Sequence, residues 1–296
     1  MITETKTTKE LSNERARALK IVERALLYIV LILIVAYILI PFYVLLITSV
    51  KTDREANYVE FSWWPQYGFD FSNYATVLSD ETAGITIFNS FLNTLWISIV
   101  PTVVGVFVSA LSAYGFAKLD FAFKKTMFSI LLMTMMIPGC ITMSTSFIIF
   151  DKMGWVDTPL PLVVPGMFGG IGIIFFLRQY MMGIPDGLCD AAKIEGCGVM
   201  NVFFKIILPL SFPAVFAQLI LTFIGHYNEY LKALIYLFDP KWYTLQIALT
   251  FYDSSTSSLS LTATACVVSI APLLLIYVFA QNYILKGISM SSGLKG

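Results

Sequence analysis

Charged side chains are scarce in this sequence, at 13% of its 296 residues, where a soluble domain carries about 25%. A chain this poor in charge cannot cover a globule with groups that bind water, so the bilayer is its expected solvent. Nineteen basic residues balance nineteen acidic ones, and the absence of any positive excess excludes a nucleic-acid role. Cysteine is sparse as well. Cys140, Cys189, Cys197 and Cys266 lack metal-ligand spacing and read as reduced or inert thiols. The one histidine, His226, has no second His or Cys at ligand distance and no Ser/His/Asp set around it, so it reads as a hydrogen-bonding or interface residue. No G-x-x-x-x-G-K-[ST] occurs, so the chain cannot cradle ATP phosphates itself. Nor is there an internal repeat or a carboxylate deep in an apolar run, the usual marks of a secondary transporter.

Apolar side chains are abundant, at 57% of the residues, and the mean hydropathy is +0.78. Six stretches free of Asp, Glu, Lys and Arg reach the ~18–20 residues that cross hydrocarbon as a helix: 25–50, 82–117, 126–150, 158–177, 206–228 and 254–285. The leader before the first is too long, and its apolar run too extended, for a cleaved signal. The fold class expected is therefore an all-α integral membrane protein with six transmembrane helices. Residues 1–24 form an N-terminal tail, 25–285 the six-span domain and 286–296 a C-terminal tail. Fourteen of the nineteen basic residues fall on the side that holds both ends, which places both termini in the cytoplasm by the positive-inside rule.

Every run contains proline: Pro41, Pro101, Pro138, Pro165, Pro209 with Pro213, and Pro272. Proline removes a backbone donor and kinks helices, so bends are expected in all six spans, around a wet and mobile interior. In the fifth run Gln218, Thr222 and His226 recur every four residues, with Glu229 at the outer end, and share one helix face. Thr262, Cys266 and Ser269 echo this in the sixth. Lining of a translocation path and helix–helix glue both account for such a stripe.

The passage "DAAKIEGCGVMNVFFKIILPL" (190–210) sets Asp190, Lys193, Glu195 and Lys205 among small residues between two apolar runs. Asp186 suits an N-cap after Pro185, and Gly196 with Gly198 supplies a turn. The short helix between them is expected to offer a face of Leu188, Ala191, Ala192 and Glu195, with too little apolar bulk to rest on lipid. A helix with small side chains lets another protein's backbone approach closely.

Asp190-Ala191-Ala192, three residues, Gly196, nine residues, then Ile206-x-Leu208-Pro209 resembles the EAA signature of bacterial ATP-binding-cassette importer permeases, with Asp190 in place of Glu. "NSFLNTLWIS" (89–98), "SALSAYGFAKLDF" (109–121), "MIPG" (136–139), "FFLRQYMMGIPDGL" (175–188), "ILPLSFPAV" (207–215), "YNEYL" (227–231) and the terminal Gly293-Leu294-Lys295-Gly296 resemble the maltose-type carbohydrate permeases, on the six-span subunit. Tyr227 stands where that family more often has Trp. The resemblance implies the type I importer permease fold and a coupling helix at about 186–198, through which Asp190, Ala191, Ala192 and Gly196 meet an ATPase. It implies a second permease subunit, two ATPase subunits that bind the ATP and magnesium, and an extracellular sugar-binding protein. This chain itself is implied to hold no cofactor and to hydrolyse nothing. The expected location is the cell membrane of a bacterium or archaeon, and the expected cargo a di- or oligosaccharide. Another solute carried by the same machinery (polyol, sugar phosphate, amino acid, phosphate) is the nearest alternative, and a secondary transporter the more remote one. For the binding protein, the outer stretch Lys241 to Leu261 is expected to be a loop that enters a cleft. Residues 50–86, with Trp63 and Trp64, read either as a second contact or as an interfacial aromatic belt.

Overall fold

The computed structural model describes the backbone of residues 2–57, 60–79, 81–82, 84–256 and 258–293. Side chains are described within those stretches from 19 to 281, apart from Thr82, Ser254 and Ser255. The match at Leu294-Lys295-Gly296 and the side chains of residues 1–18 and 282–296 lie outside the described residues. The chain runs as α1 (Ile2–Ser49), α2 (Asp53–Ala56), α3 (Ser72–Ser79), a small antiparallel pair β1 (Glu81–Thr82) and β2 (Ile85–Thr86), and α4 (Ile87–Lys118). Then come α5 (Lys124–Thr134), α6 (Gly139–Lys152), α7 (Leu160–Met167), α8 (Ile171–Met182), α9 (Asp186–Ile194) and α10 (Val199–Val202). A π turn (Phe203–Ile207), α11 (Leu208–Tyr227), α12 (Leu231–Tyr236), α13 (Leu245–Ser255) and α14 (Leu259–Gly293) complete it.

Five helical stretches among the described residues are long and apolar enough to cross a membrane, or six if the bent pair α5 and α6 counts as one. The protein is thus an integral, multi-pass membrane protein. The third run differs from expectation, because α5 and α6 meet at 91°. Pro138 caps α6 and biases Ile137 away from the helical region, which ends α5 a turn earlier. The other prolines behave differently. Pro41, Pro101, Pro213 and Pro272 lie inside continuous helices, so a break at every proline does not occur. Pro165 sits near the end of α7, where Gly169 at φ +85° turns the chain into α8. Pro209 offers no N–H to the carbonyl of Lys205, and the helix widens into a π turn just before it.

α4 is the hub, packed against α7, α8 and α11, while α14 bridges α11 and α1. Its buried residues Ser90, Thr94, Ser98, Thr102, Gly105 and Ser109 form a narrow stripe that lets neighbouring backbones close in. A Cβ on Gly105 would run into the carbonyl of Gly166, and the Ser109 hydroxyl accepts the Gly170 N–H at 3.1 Å across the α7–α8 break. Among its described side chains, α1 is buried only near its end. Its Ser49 carbonyl accepts from Asn73 Nδ2 and Thr264 Oγ1, both at 3.0 Å, which satisfies an orphan acceptor of the helix terminus.

Candidate functional site

The polar passage folds into α9 and stands at one end of the bundle. Two side chains from the last turns of α4 hold it. Lys118, at the end of α4, keeps its ammonium almost wholly buried and donates to the Ile184 carbonyl and to Asp186 Oδ1, each at 2.5 Å. Tyr114, one turn earlier, donates to the Val199 carbonyl at 3.1 Å. Arg178 of α8 donates to the Phe116 carbonyl at 3.1 Å and stacks on Phe128 of α5 at 4.2 Å. α4 therefore grips the elbow both before and after α9. Asp186 is the first residue of α9 rather than its N-cap, which is Pro185. Its carboxylate turns to Lys118 instead, and that hydrogen bond and charge hold its acid below the ordinary range.

Of the face expected, Leu188, Ala191 and Glu195 are exposed, and Ala192 is the exception. Cys189 and Ala192 turn inward, onto a core that includes Tyr114, Leu177, Met181, Phe203 and Ile207. Asp190 and Ala191 are exposed, with Leu188 and Ile194 also outward, the latter 88% exposed. Adjacent helical residues point about 100° apart, which is why Ala191 is exposed while Ala192 is buried. Asp190 pairs with Lys193 at 3.1 Å on the surface, and that contact pushes the Lys193 ammonium upward.

Gly196 sits at φ +83°. Its N–H reaches the Lys193 carbonyl at 3.0 Å and Cys197 N–H the Ala192 carbonyl at 2.9 Å, the paired bonds of a Schellman cap. A Cβ there would meet nothing within 4 Å, so the glycine is required by the turn's hand and not by crowding. Ile206 and Leu208 are half-buried against the same core, and Pro209 is exposed.

The stripe of the fifth run divides. His226 and Glu229 line a cavity of about 220 Å³ at the far end of the bundle, with Thr94, Ser98, Gly166, Lys232 and Thr244. Glu229 pairs with Lys232 at 3.3 Å. Gln218 and Thr222 are half-buried and line neither this cavity nor a second, wider groove beside α13. Thr262 and Cys266 face that groove, whereas Ser269 donates to the Cys266 carbonyl at 2.9 Å. Sequence reasoning missed the α4 stripe, although its Ser and Thr residues recur every four positions from Ser90 to Thr102. It also misread the stretch from Lys241. Most of it is α13, whose Leu245, Ala248 and Tyr252 pack into the core.

The far end also carries a built loop. Glu55 is buried and accepts from Ser62 Oγ at 2.8 Å, Gln66 N at 2.9 Å and Tyr67 N at 3.4 Å. Burial pushes its acid up, but these hydrogen bonds and the Lys51 charge outweigh that and leave it below the usual carboxylate range. Trp63 stacks on Tyr43 of α1 at 6.2 Å, and Trp63 and Trp64 stay exposed.

Residues 105–290 match the family described as binding-protein-dependent transport system inner membrane component. The chain belongs to that family. The permease resembles the arabinooligosaccharides transport system permease protein AraQ of Halalkalibacterium halodurans, 34% identical over 70% of this chain and 74% of the relative. It resembles the trehalose/maltose transport system permease protein MalG of Thermococcus litoralis at 29% identity, over 94% and 99% of the two chains. Its fold is shared with a bacterial ABC transporter involved in import of the acidic polysaccharide alginate, at a TM-score of 0.76 and 20% identity, over 86% of this chain and 94% of that one.

Proposed function

We propose that this chain is one permease subunit of an ATP-driven, binding-protein-dependent importer of oligosaccharides, and that α9 is its coupling helix. The single observation that carries the reading is the elbow: a short helix with Asp190 and Ala191 outward, closed by a glycine cap and latched to α4 by Lys118 and Tyr114. The chain has no nucleotide-binding loop, so ATP and magnesium belong to two separate ATPase subunits that dock on that outward face. A pull on α9 reaches α4 through Lys118 and Tyr114, and reaches α11 through the continuous backbone of residues 199–208. Because α4 contacts α7, α8 and α11, displacement of its end is felt by most of the bundle.

Both termini and α9 lie in the cytoplasm of a bacterium or archaeon, as the Lys and Arg distribution favours. The cavity at His226 and the loops around Trp63 and Trp242 then face outward, where a sugar-binding protein delivers cargo. A second permease subunit completes the path, and this chain supplies half of its wall.

Ala191→Arg tests the coupling role without touching the core. In liposomes holding the full complex, the variant is expected to assemble, while ATP-driven oligosaccharide uptake falls roughly tenfold or more, equivalent to about 1.4 kcal/mol of docking. Uptake at the wild-type rate would remove α9 from the coupling role.

A further inference from the structure

At the end of the bundle opposite α9, an open groove of about 460 Å³ runs between α13, α14 and Tyr230 at the start of α12. Its wall carries Tyr230, Gln246, Thr250, Asp253, Thr262 and Cys266. The Tyr230 ring is 37% exposed, Asp253 and Thr250 are exposed, and Gln246 and Thr262 are half-buried. A sugar ring offers an apolar face of C–H bonds and a rim of hydroxyls. An aromatic ring suits the first, whereas carboxylate, amide and hydroxyl groups suit the second. Charge makes the groove selective. Among the described residues no Lys, Arg or His lines it, and Asp253 has no ion-pair partner. The other cavity differs, because its carboxylate, Glu229, is neutralised by Lys232.

We propose that this groove holds one ring of a neutral oligosaccharide and turns away sugars that carry carboxylate or sulfonate groups, an inference that rests on the carbohydrate-importer reading above. A like charge brought beside Asp253 is repelled, and no cation in the wall offsets that repulsion. The alginate transporter that shares the fold handles an acidic polymer, so the fold alone does not impose this preference and the lining must.

Cys266 is a built-in reporter, half-buried in the groove wall. The complete transporter, carrying Cys140→Ser and Cys197→Ser, is first assayed for uptake of arabinotriose, maltotriose, raffinose and trigalacturonate. The same complex, without nucleotide or binding protein, is then treated with a small methanethiosulfonate reagent in the presence of each sugar. The expected result is that an imported neutral sugar slows modification of Cys266 several-fold and trigalacturonate does not. Tyr230→Ala should abolish the protection, and Asp253→Lys should shift it toward trigalacturonate on the order of tenfold. A neutral sugar that is imported but leaves Cys266 equally reactive overturns the groove while the importer stands. Import of trigalacturonate alone, or protection unchanged in both variants, also overturns it. Import of none of the four sinks the carbohydrate reading itself.

Discussion

The two ends of α4 are built on different principles. At the elbow, Lys118, Tyr114 and Arg178 all find partners, and the aromatic core around Phe203 and Phe116 is closed. Along the rest of α4, Ser90, Ser98 and Thr102, with Thr244 beside them, bury hydroxyls that have no partner among the described residues, and Ser98 and Thr244 line the His226 cavity. In the proposed importer the elbow end transmits displacement and is the more fully hydrogen-bonded, although Ser211 in the first turn of α11 also buries an unpartnered hydroxyl. The hydroxyls along α4 then hold hydrogen-bonding capacity in reserve for a polar solute, at a cost of about 1–3 kcal/mol for each buried group left unpaired.

The largest test of this contrast is Lys118→Met. It orphans the Ile184 carbonyl and frees Asp186, and it should lower stability by about 1–3 kcal/mol. ATP hydrolysis should also uncouple from uptake, read as more ATP spent for each sugar carried, while Cys266 reactivity in the resting state stays as it was. If stability falls and coupling holds, Lys118 is only a brace.

A middle-sized effect concerns the outer loop. Glu55 is held below the ordinary carboxylate range in the fold, so its contribution to stability is present at neutral pH and is lost as pH falls through that lowered value. Proteolysis between residues 60 and 71 should accelerate in acid, and Glu55→Gln should be cut readily at neutral pH too. A loop equally resistant at every pH would show that Glu55 does not hold it.

The smallest effect expected is on Ser98→Ala. Removing a buried hydroxyl that has no partner should leave stability unchanged or raise it by less than about 1 kcal/mol. Were thermal stability constant but uptake several-fold slower, that hydroxyl would be meeting cargo or water during transport.

Much of the fold was legible in the sequence because a bilayer leaves few options. The charge-free runs located the spans, and the EAA spacing located the elbow. A count of uncharged residues is blind to direction, however, so the 91° bend at Pro138 went unread although Pro138-Gly139 signalled it. Pro101 and Pro213, by contrast, lie within helices that continue through them. Which of Ala191 and Ala192 faces outward depends on the side from which Phe203 and Leu177 approach, and no local pattern encodes that. α13 was readable, because Leu245, Ala248 and Tyr252 keep a helical period, but its aromatic and Ser/Thr content suggested a loop.

Gly196 places the backbone on the left-handed side of conformational space, with open room where a side chain would stand. Position 196 therefore constrains chirality and leaves volume free. A substitution found there in a relative reports on how that protein bends its chain, and says nothing about whether a partner docks on α9.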